Sequence, residues 1–541
     1  MDSISEAASR LEIPADCLMP FGDFAVKIDP KLLLRRRSQP GKAKLVLVTA
    51  ITPTRAGEGK TTTTIGLADA LNKLGEKVCC ALREPSLGPC LGVKGGGTGG
   101  GRAQLTPSDR INLHFTGDFH AITSAHSAIA AIVDNAVHFG GAGIDSRRVL
   151  WPRVVDMNDR ALRNVMVGLG KRSDGMPRQA HFVITAASEI MAMLCLASDV
   201  ENLRKRIGRT VVAYNHDREV VTVDQLKATG VALALMRDAV MPNLVRTLEG
   251  TPALVHGGPF ANIAHGCSSV LATRTGMHLA DWVITEAGFG SELGAEKFVD
   301  IKCRTAGLEV AAVVVVASVR ALKLHGGHDG KALDTPDPAA VARGLANLNK
   351  HIENVRGFGL VPVVGLNRFG SDTDEEVAVV RAHCDDMGVP FEEATHFANG
   401  GDGALELAKS VMAAAKPMAP TYSYELKEGI PEKIRKVAQK VYGADDIVLA
   451  DTAPSDLRTI KRLGYDHLPV CIAKTPASLS DNPKRLGRPR DFNITVREIQ
   501  INAGAGFLVV LTGDVMRMPG LPRAPRSEVI DLVHGEVVNL A

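Results

Sequence analysis

Aromatic side chains are scarce in this sequence: Phe, Trp and Tyr together make up 4% of 541 residues. A chain with so few flat faces offers few places to stack a planar ligand, so an aromatic in a loop stands out. A dominant charge of one sign is also lacking. A formal +3 on 63 basic and 60 acidic groups gives no electrostatic case for nucleic acid or an anionic membrane as partner. The nine cysteines, at 17, 79, 80, 90, 195, 267, 303, 384 and 471, form no C-x-x-C pair and no finger-like spacing. That pattern argues for reduced thiols in a cytosolic protein. The longest apolar stretch, AAVVVVASV at 311–319, is far short of the roughly 20 residues a bilayer span needs, and it predicts a buried parallel strand instead. The opening MDSISEAASRLEIPAD has no apolar core of the signal type, so the expected compartment is the cytoplasm.

An apolar fraction of 45% indicates a globular protein, and 541 residues exceed one ordinary core, which predicts two to four domains. Strand-like runs recur: LVLVTAI (45–51), VCCAL (78–82), HFVIT (181–185), PALVHGG (252–258), DWVITEAGFG (281–290), VAAVVVVAS (310–318) and LVPVVGLN (360–367). Near-continuous β-branched runs alternating with helical segments predict an α/β fold with a mostly parallel sheet covered on both faces. Ligands in such sheets sit at the carboxyl ends of strands. From Lys60, KTTTTIGLADALNKLG places apolar residues at 65, 67, 68, 71 and 74 and stops at Gly75, as an amphipathic helix does. The expected organisation is a large domain over 1–345, with an excursion at about 150–240 that contains a hairpin turning at Asn215 to Asp217. An α/β segment over 346–420 and a C-terminal α/β domain over 421–541 follow.

Between the first strand and that helix lies TPTRAGEGKTTTT, Thr52 to Thr64. Gly59, Lys60 and Thr61 fit the second half of the phosphate-binding template G-x-x-x-x-G-K-[ST], while Thr54 stands where the first glycine belongs. Strand, loop and helix start together make an anion site, because unpaired N–H groups and the positive helix end converge there. Lys60 would reach β/γ-phosphates and the Thr61 hydroxyl a magnesium ion. The bland alternative is a surface turn before a helix. The next strand end delivers Arg83 and Glu84, then Lys94 and six glycines within 95–101, a backbone able to approach an anion closely or, alternatively, a flexible linker.

These blocks together resemble the formate–tetrahydrofolate ligase (10-formyltetrahydrofolate synthetase) family. The resemblance is carried by TPTRAGEGKTTTTIGLADAL, ALREPSLGP, VKGGGTGGGRAQ, GDFHAITSAHSAIAAIVDN and RVVDMNDRALRNVMVGLG. It continues through HGGPFANIAHGCSS, TEAGFGSELGAEKFVDIKCR, LNRFGSDTDEE, HFANGGDGALELA and LTGDVMRMPGLP, covering nearly the whole chain. It implies a P-loop NTPase-like large domain and ATP-dependent formylation. Formate attacks the γ-phosphorus of ATP, and tetrahydrofolate N10 then attacks the formyl carbon of formyl phosphate.

Carried over by position, the nucleotide loop is Thr54, Arg55, Ala56, Gly57, Glu58, Gly59, Lys60 and Thr61, and this family carries threonine at the first position. Arg83 would hold formyl phosphate through the two parallel hydrogen bonds a guanidinium can make, unless it merely pairs with Glu84 or another acid. Gly288, Gly290 and Ser291 would present backbone and hydroxyl donors beside the acyl phosphate, or form a plain turn. Phe369 and Phe397 would sandwich the pteridine, the second standing where tryptophan is common; core packing is the alternative for each. Glu84 and Asp118 would bond the amino-pyrimidine edge, or be solvated acids. The resemblance also implies Mg2+ with ATP, a monovalent cation (K+ or NH4+) and a homotetramer, with small-molecule substrates and no nucleic acid or membrane partner. His256, His265 and Cys267 lack a fourth ligand for zinc. The competing readings are another P-loop ATPase of the partitioning, iron-protein or tyrosine-kinase type, and a silent nucleotide- or folate-binding regulator.

Overall fold

The structure, a computed structural model, describes residues 4–36, 43–92, 96–513 and 515–540. Its centre is a 12-stranded sheet. In chain order the strands are β1 (Leu18–Phe21), β2 (Ala25–Ile28), β3 (Lys44–Ala50), β4 (Val78–Leu82), β5 (Gly99–Gly100), β6 (Ala103–Thr106), β7 (Asn243–Thr247), β8 (Pro252–Val255), β9 (Trp282–Glu286), β10 (Ala312–Ala317), β11 (Pro362–Asn367) and β12 (Phe391–Ala394). They lie in the order β1-β2-β7-β8-β4-β9-β3-β10-β11-β12, with β6 and β5 attached beside β7. From β8 to β12 every pairing is parallel, while the β1-β2-β7-β8 edge is antiparallel. The α/β reading with a mostly parallel sheet therefore holds.

Strand alternation explains why the central runs are apolar throughout. Leu45, Leu47, Val313 and Val315 join one buried cluster, and Val46, Val48, Val314 and Val316 join another on the opposite face. Helix α1 (Lys60–Lys73) covers the second face with Ile65, Leu67, Ala68 and Leu71. It ends as the sequence predicts: Gly75 takes φ +87°, its N–H bonds Asn72 O, and the Glu76 N–H bonds Leu71 O. Leu74 caps the helix from a more exposed position. On the other face, α4 (Pro338–Gly357) contributes Val341, Leu345, Leu348, Ile352 and Val355. Two further helices position the site, α2 (Asp118–Phe139) and α3 (Val319–His325).

After Thr106 the chain leaves the sheet and rejoins it at Asn243. The intervening segment holds small sheets of its own, among them the antiparallel pair Val211–Asn215 and Val220–Thr222 that the NHD turn predicts. The run HFVIT is a correction. Phe182–Ile184 pairs in parallel with Arg153–Val155 in a two-stranded sheet and is no part of the central one. It is only three residues long and half-buried at Phe182, too short for a strand covered on both faces. Toward the C-terminus, Val470–Ala473, Phe507–Leu511 and Glu498–Asn502 form a separate sheet.

Candidate active site

The ends of β4, β9, β3, β10 and β11 lie side by side, and they carry most of the residues singled out in the sequence. At the end of β3, the loop turns on two left-handed glycines, Gly57 (φ +82°) and Gly59 (φ +76°). A Cβ at Gly59 would stand 2.4 Å from Asn367 Nδ2, so only glycine fits. Thr54 is not in the left-handed region, which is why threonine serves where the template has glycine. Its N–H donates to Glu58 Oε1 at 2.7 Å. Ser318, the N-cap of α3, donates its hydroxyl to Glu58 Oε2, and Asn367 Nδ2 donates to Glu58 O at 3.2 Å. The Glu58 carboxylate thus clamps the loop from beneath, while Arg55 and Ala56 are exposed at its tip. Lys60 and Thr61 open α1 half-buried.

Sequence reasoning missed Glu286, the last residue of β9. The Thr61 hydroxyl donates to its Oε2 at 2.7 Å, and the Arg83 guanidinium meets its Oε1 at 3.2 Å. One buried carboxylate therefore joins the first turn of α1 to the end of β4. The acid that Arg83 meets is thus Glu286 rather than Glu84, and the Arg83 Nε keeps no hydrogen-bond partner. The available signal was position alone: WVITE ends a buried strand on an acid, at the edge where ligands bind.

After Glu286 the backbone turns sharply, with Phe289 at φ +61°. The Gly288 N–H is taken by Gly266 O at 3.0 Å, so what Gly288 supplies is close approach. A Cβ there would lie 2.4 Å from Ala261 Cβ and 3.3 Å from the Arg83 NH1 nitrogen. At Gly290 a Cβ would strike Glu292 Oε2 at 2.2 Å. Ser291 is buried, its Oγ 2.8 Å from His351 Nδ1.

Residues 96–101 form no linker. The Gly97 N–H bonds Asn112 Oδ1 at 2.7 Å, and Gly99 and Gly100 pair with Gln104 and Ala103 in a hairpin. Lys94 and Gly95 lie outside the described residues. This hairpin meets Phe397: the Arg102 N–H donates to Phe397 O at 2.8 Å, and a Cβ on Gly100 would touch the ring at 3.2 Å. Phe397 is 56% exposed, on the short helix α5 (His396–Asn399), so core packing does not describe it. Phe369, half-buried after β11, lies beneath the Arg320 guanidinium, 5.0 Å from its ring centroid.

Glu84 and Asp118 are both buried rather than solvated. Asp118 is fully engaged: Lys27 Nζ reaches Oδ1 at 2.7 Å and Asn243 Nδ2 reaches Oδ2 at 2.7 Å. Glu84 differs, since its Oε2 has no partner, and burial, then the charge of Asp118, pushes its carboxyl well above the ordinary range.

A family model described as formate–tetrahydrofolate ligase matches residues 1–541. This chain belongs to the formate–tetrahydrofolate ligase family. A formate–tetrahydrofolate ligase from Methylobacterium sp. (strain 4-46) is 52% identical over 546 residues, covering 100% of this chain and 98% of the relative. Those from Methylobacterium radiotolerans and Methylorubrum extorquens (strain PA1) are 53% and 51% identical, each covering 99% of this chain and 97% of the relative. The remaining histidines of this ligase chain's glycine loop have other surroundings. His256 bonds Ser269 Oγ and Ala239 O, and His265 is buried with both ring nitrogens unpartnered. Among the described residues no group of three His, Cys, Asp or Glu side chains is placed to hold a metal ion.

Proposed function

We propose that this protein ligates formate to tetrahydrofolate at the expense of ATP, through formyl phosphate, giving 10-formyltetrahydrofolate, ADP and phosphate. The observation that carries the reading is the meeting of Thr61 and Arg83 on Glu286. A phosphate cradled by the nucleotide loop and an anion held by Arg83 then share one place. Formate needs activation because its leaving group would otherwise be oxide. A formate oxygen attacks the γ-phosphorus and the bond to ADP breaks. N10 next attacks the formyl carbon, the carbon–oxygen bond to phosphate breaks, and N10 loses its proton.

The chain's part is charge neutralisation and positioning. Lys60 neutralises oxygens of the transferring phosphoryl group. Arg83 grips the acyl phosphate with the guanidinium edge that Glu286 leaves. Gly288 allows that close approach, and Gly290 and Ser291 close the pocket from the β9 side. Phe369 and Phe397 follow neighbouring strand ends and are the two ring faces of the folate slot. Glu84 is its buried polar edge, and Asp118 acts there only through Lys27 and Asn243.

The oxygen donors Thr61 and Glu286 fit Mg2+, which prefers hydroxyl, carboxylate and phosphate oxygens. Bound there, it would neutralise phosphate charge. A monovalent cation, K+ or NH4+, belongs to the same reading, as does a homotetramer. Support for a cytoplasmic location comes from the nine cysteines, all of them buried and none in a C-x-x-C pair. No helix among the described residues is long and apolar enough to cross a membrane. The test is a product assay omitting ATP, formate and tetrahydrofolate in turn. Formation of 10-formyltetrahydrofolate should require all three; phosphate release from ATP that ignores formate contradicts the reading.

A further inference from the structure

Helix α4 covers one face of the sheet, yet it buries a polar stripe, Asn347, His351 and Asn354, at the i, i+4, i+7 spacing of one helix side. Buried polar groups need partners. Here the partners come from the two loops that hold the reaction. The Thr52 N–H, just before the nucleotide loop, donates to His351 Nε2 at 2.9 Å. Thr52 Oγ1 lies 3.0 Å from the same nitrogen and accepts from Asn347 Nδ2 at 3.0 Å. On the other side of the ring, Nδ1 is 2.8 Å from Ser291 Oγ, which also accepts from Asn354 Nδ2 at 3.3 Å. A Cβ at Gly290 would stand 3.1 Å from His351 Cε1, so the loop rests directly on the ring.

The donors fix the tautomer. A backbone N–H can only donate, so Nε2 accepts and carries no proton. Burial, reinforced by His325 and Lys350, pushes the ring's pKa well below the usual histidine value, and the ring is neutral. Its proton therefore sits on Nδ1 and points to Ser291 Oγ. With Asn354 donating as well, both lone pairs of that oxygen are taken. The Glu292 carboxylate lies nearby, its Oε2 3.7 Å from Nδ1, but neither of its oxygens takes a hydrogen bond, so the Ser291 hydroxyl hydrogen is left to donate to a bound ligand. The neighbouring Glu292 has its Oε1 3.9 Å from Lys474 Nζ, and the ring itself ties this corner to Thr52 at the entrance of the nucleotide loop.

We propose that His351 is a positioning residue: held as the Nδ1–H tautomer by Thr52, it makes the Ser291 hydroxyl an obligate donor to the acyl phosphate and ties that donor to the nucleotide loop. This rests on the reading of Ser291 given above. The two loops are 239 residues apart (Thr52 and Ser291), and α4 is the element that lets one sense the other.

The test is steady-state kinetics, ADP calorimetry and thermal melts on Ser291→Ala, His351→Gln and the double variant. Glutamine can accept from Thr52 but cannot also donate at the Nδ1 position. Each single variant should lower kcat roughly 100- to 1000-fold, the range for one oriented donor, with the Kd for ADP within about 3-fold of wild type. The double variant should be no more than about 3-fold slower than the slower single one, because both remove the same hydrogen bond. Multiplicative losses, or a full-speed His351→Gln beside a slow Ser291→Ala, overturn the role of His351. A full-speed Ser291→Ala overturns it too, together with the placement of Ser291 beside the acyl phosphate. If His351→Gln does not fold, 15N-histidine NMR of the wild-type protein decides. It should show a ring protonated at Nδ1, unchanged between about pH 5 and 9 and perturbed by Ser291→Ala; if the ring that Ser291→Ala perturbs is protonated at Nε2, the proposal is wrong.

Discussion

Single side chains in this protein divide by what surrounds them, and two make opposite predictions. Phe397 is exposed and touches the glycine hairpin with one edge. Stacking of a flat heterocycle on an aromatic ring contributes about 1–3 kcal/mol, so Phe397→Ala should raise KM for tetrahydrofolate roughly 5- to 150-fold while leaving the melting temperature and KM for ATP nearly unchanged. Phe397→Trp should fold normally and bind folate at least as well, since nothing overpacks. A folate KM unmoved by Phe397→Ala removes the residue from the slot. Asp69 in α1 is the reverse case. Its Oδ1 accepts from the Thr247 hydroxyl at 2.6 Å, Oδ2 has no partner, and burial pushes its pKa up to about 7. Between the ordinary aspartate range and about 7 the folded state holds a proton that the unfolded chain has lost, so stability falls as pH rises through that window and levels off above it. Asp69→Asn removes this dependence. Denaturant melts should show the two proteins alike near pH 4, and the variant more stable near pH 8 by on the order of 3 kcal/mol. Equal stability at both pH values would show that the carboxyl is not desolvated.

At the scale of elements, local features were legible and pairings were not. The strand, loop and helix from Lys44 to Lys73 could be read directly, because β-branched runs, left-handed glycines and a glycine stop act on neighbouring residues. HFVIT misled because an apolar run carries no record of which sheet it joins. Glu286 and Thr61 are 225 positions apart in sequence, and His351 reaches Thr52 across 299, so neither contact leaves a local pattern. Family resemblance placed Asp118 at a ligand edge; the salt bridge that occupies it depends on Lys27, 91 residues away. The loop itself makes a sharp prediction. Gly59→Ala would force a side chain into a left-handed position and against Asn367, a backbone cost of about 1–2 kcal/mol before the clash. ADP affinity by calorimetry should fall at least 10-fold while the thermal transition moves little, since the loop lies outside the buried clusters. Unchanged ADP binding would mean that the nucleotide does not use this turn.

For the whole molecule, the C-terminal sheet joins what the excursion and the central sheet keep apart. Leu508 and Val510 belong to the cluster beneath α4, whereas Phe507, Val509 and Leu511 belong to the cluster built from α2 and the excursion. A chain ending at residue 419 would expose both cores, and it should be aggregated or bind hydrophobic dye strongly; a monomeric product with a cooperative melt would show 421–541 to be an independent unit. The proposed activity in turn is placed at the convergence of strand ends on Glu286, where Thr61 and Arg83 meet. The central claim is that these form one site in which formate is phosphorylated before folate attacks. Turnover of formate labelled with 18O in both oxygens, followed by mass spectrometry of the phosphate released, tests it most directly. One labelled oxygen should appear in each phosphate, because the formate oxygen that attacks phosphorus leaves with it; phosphate without label would contradict the account.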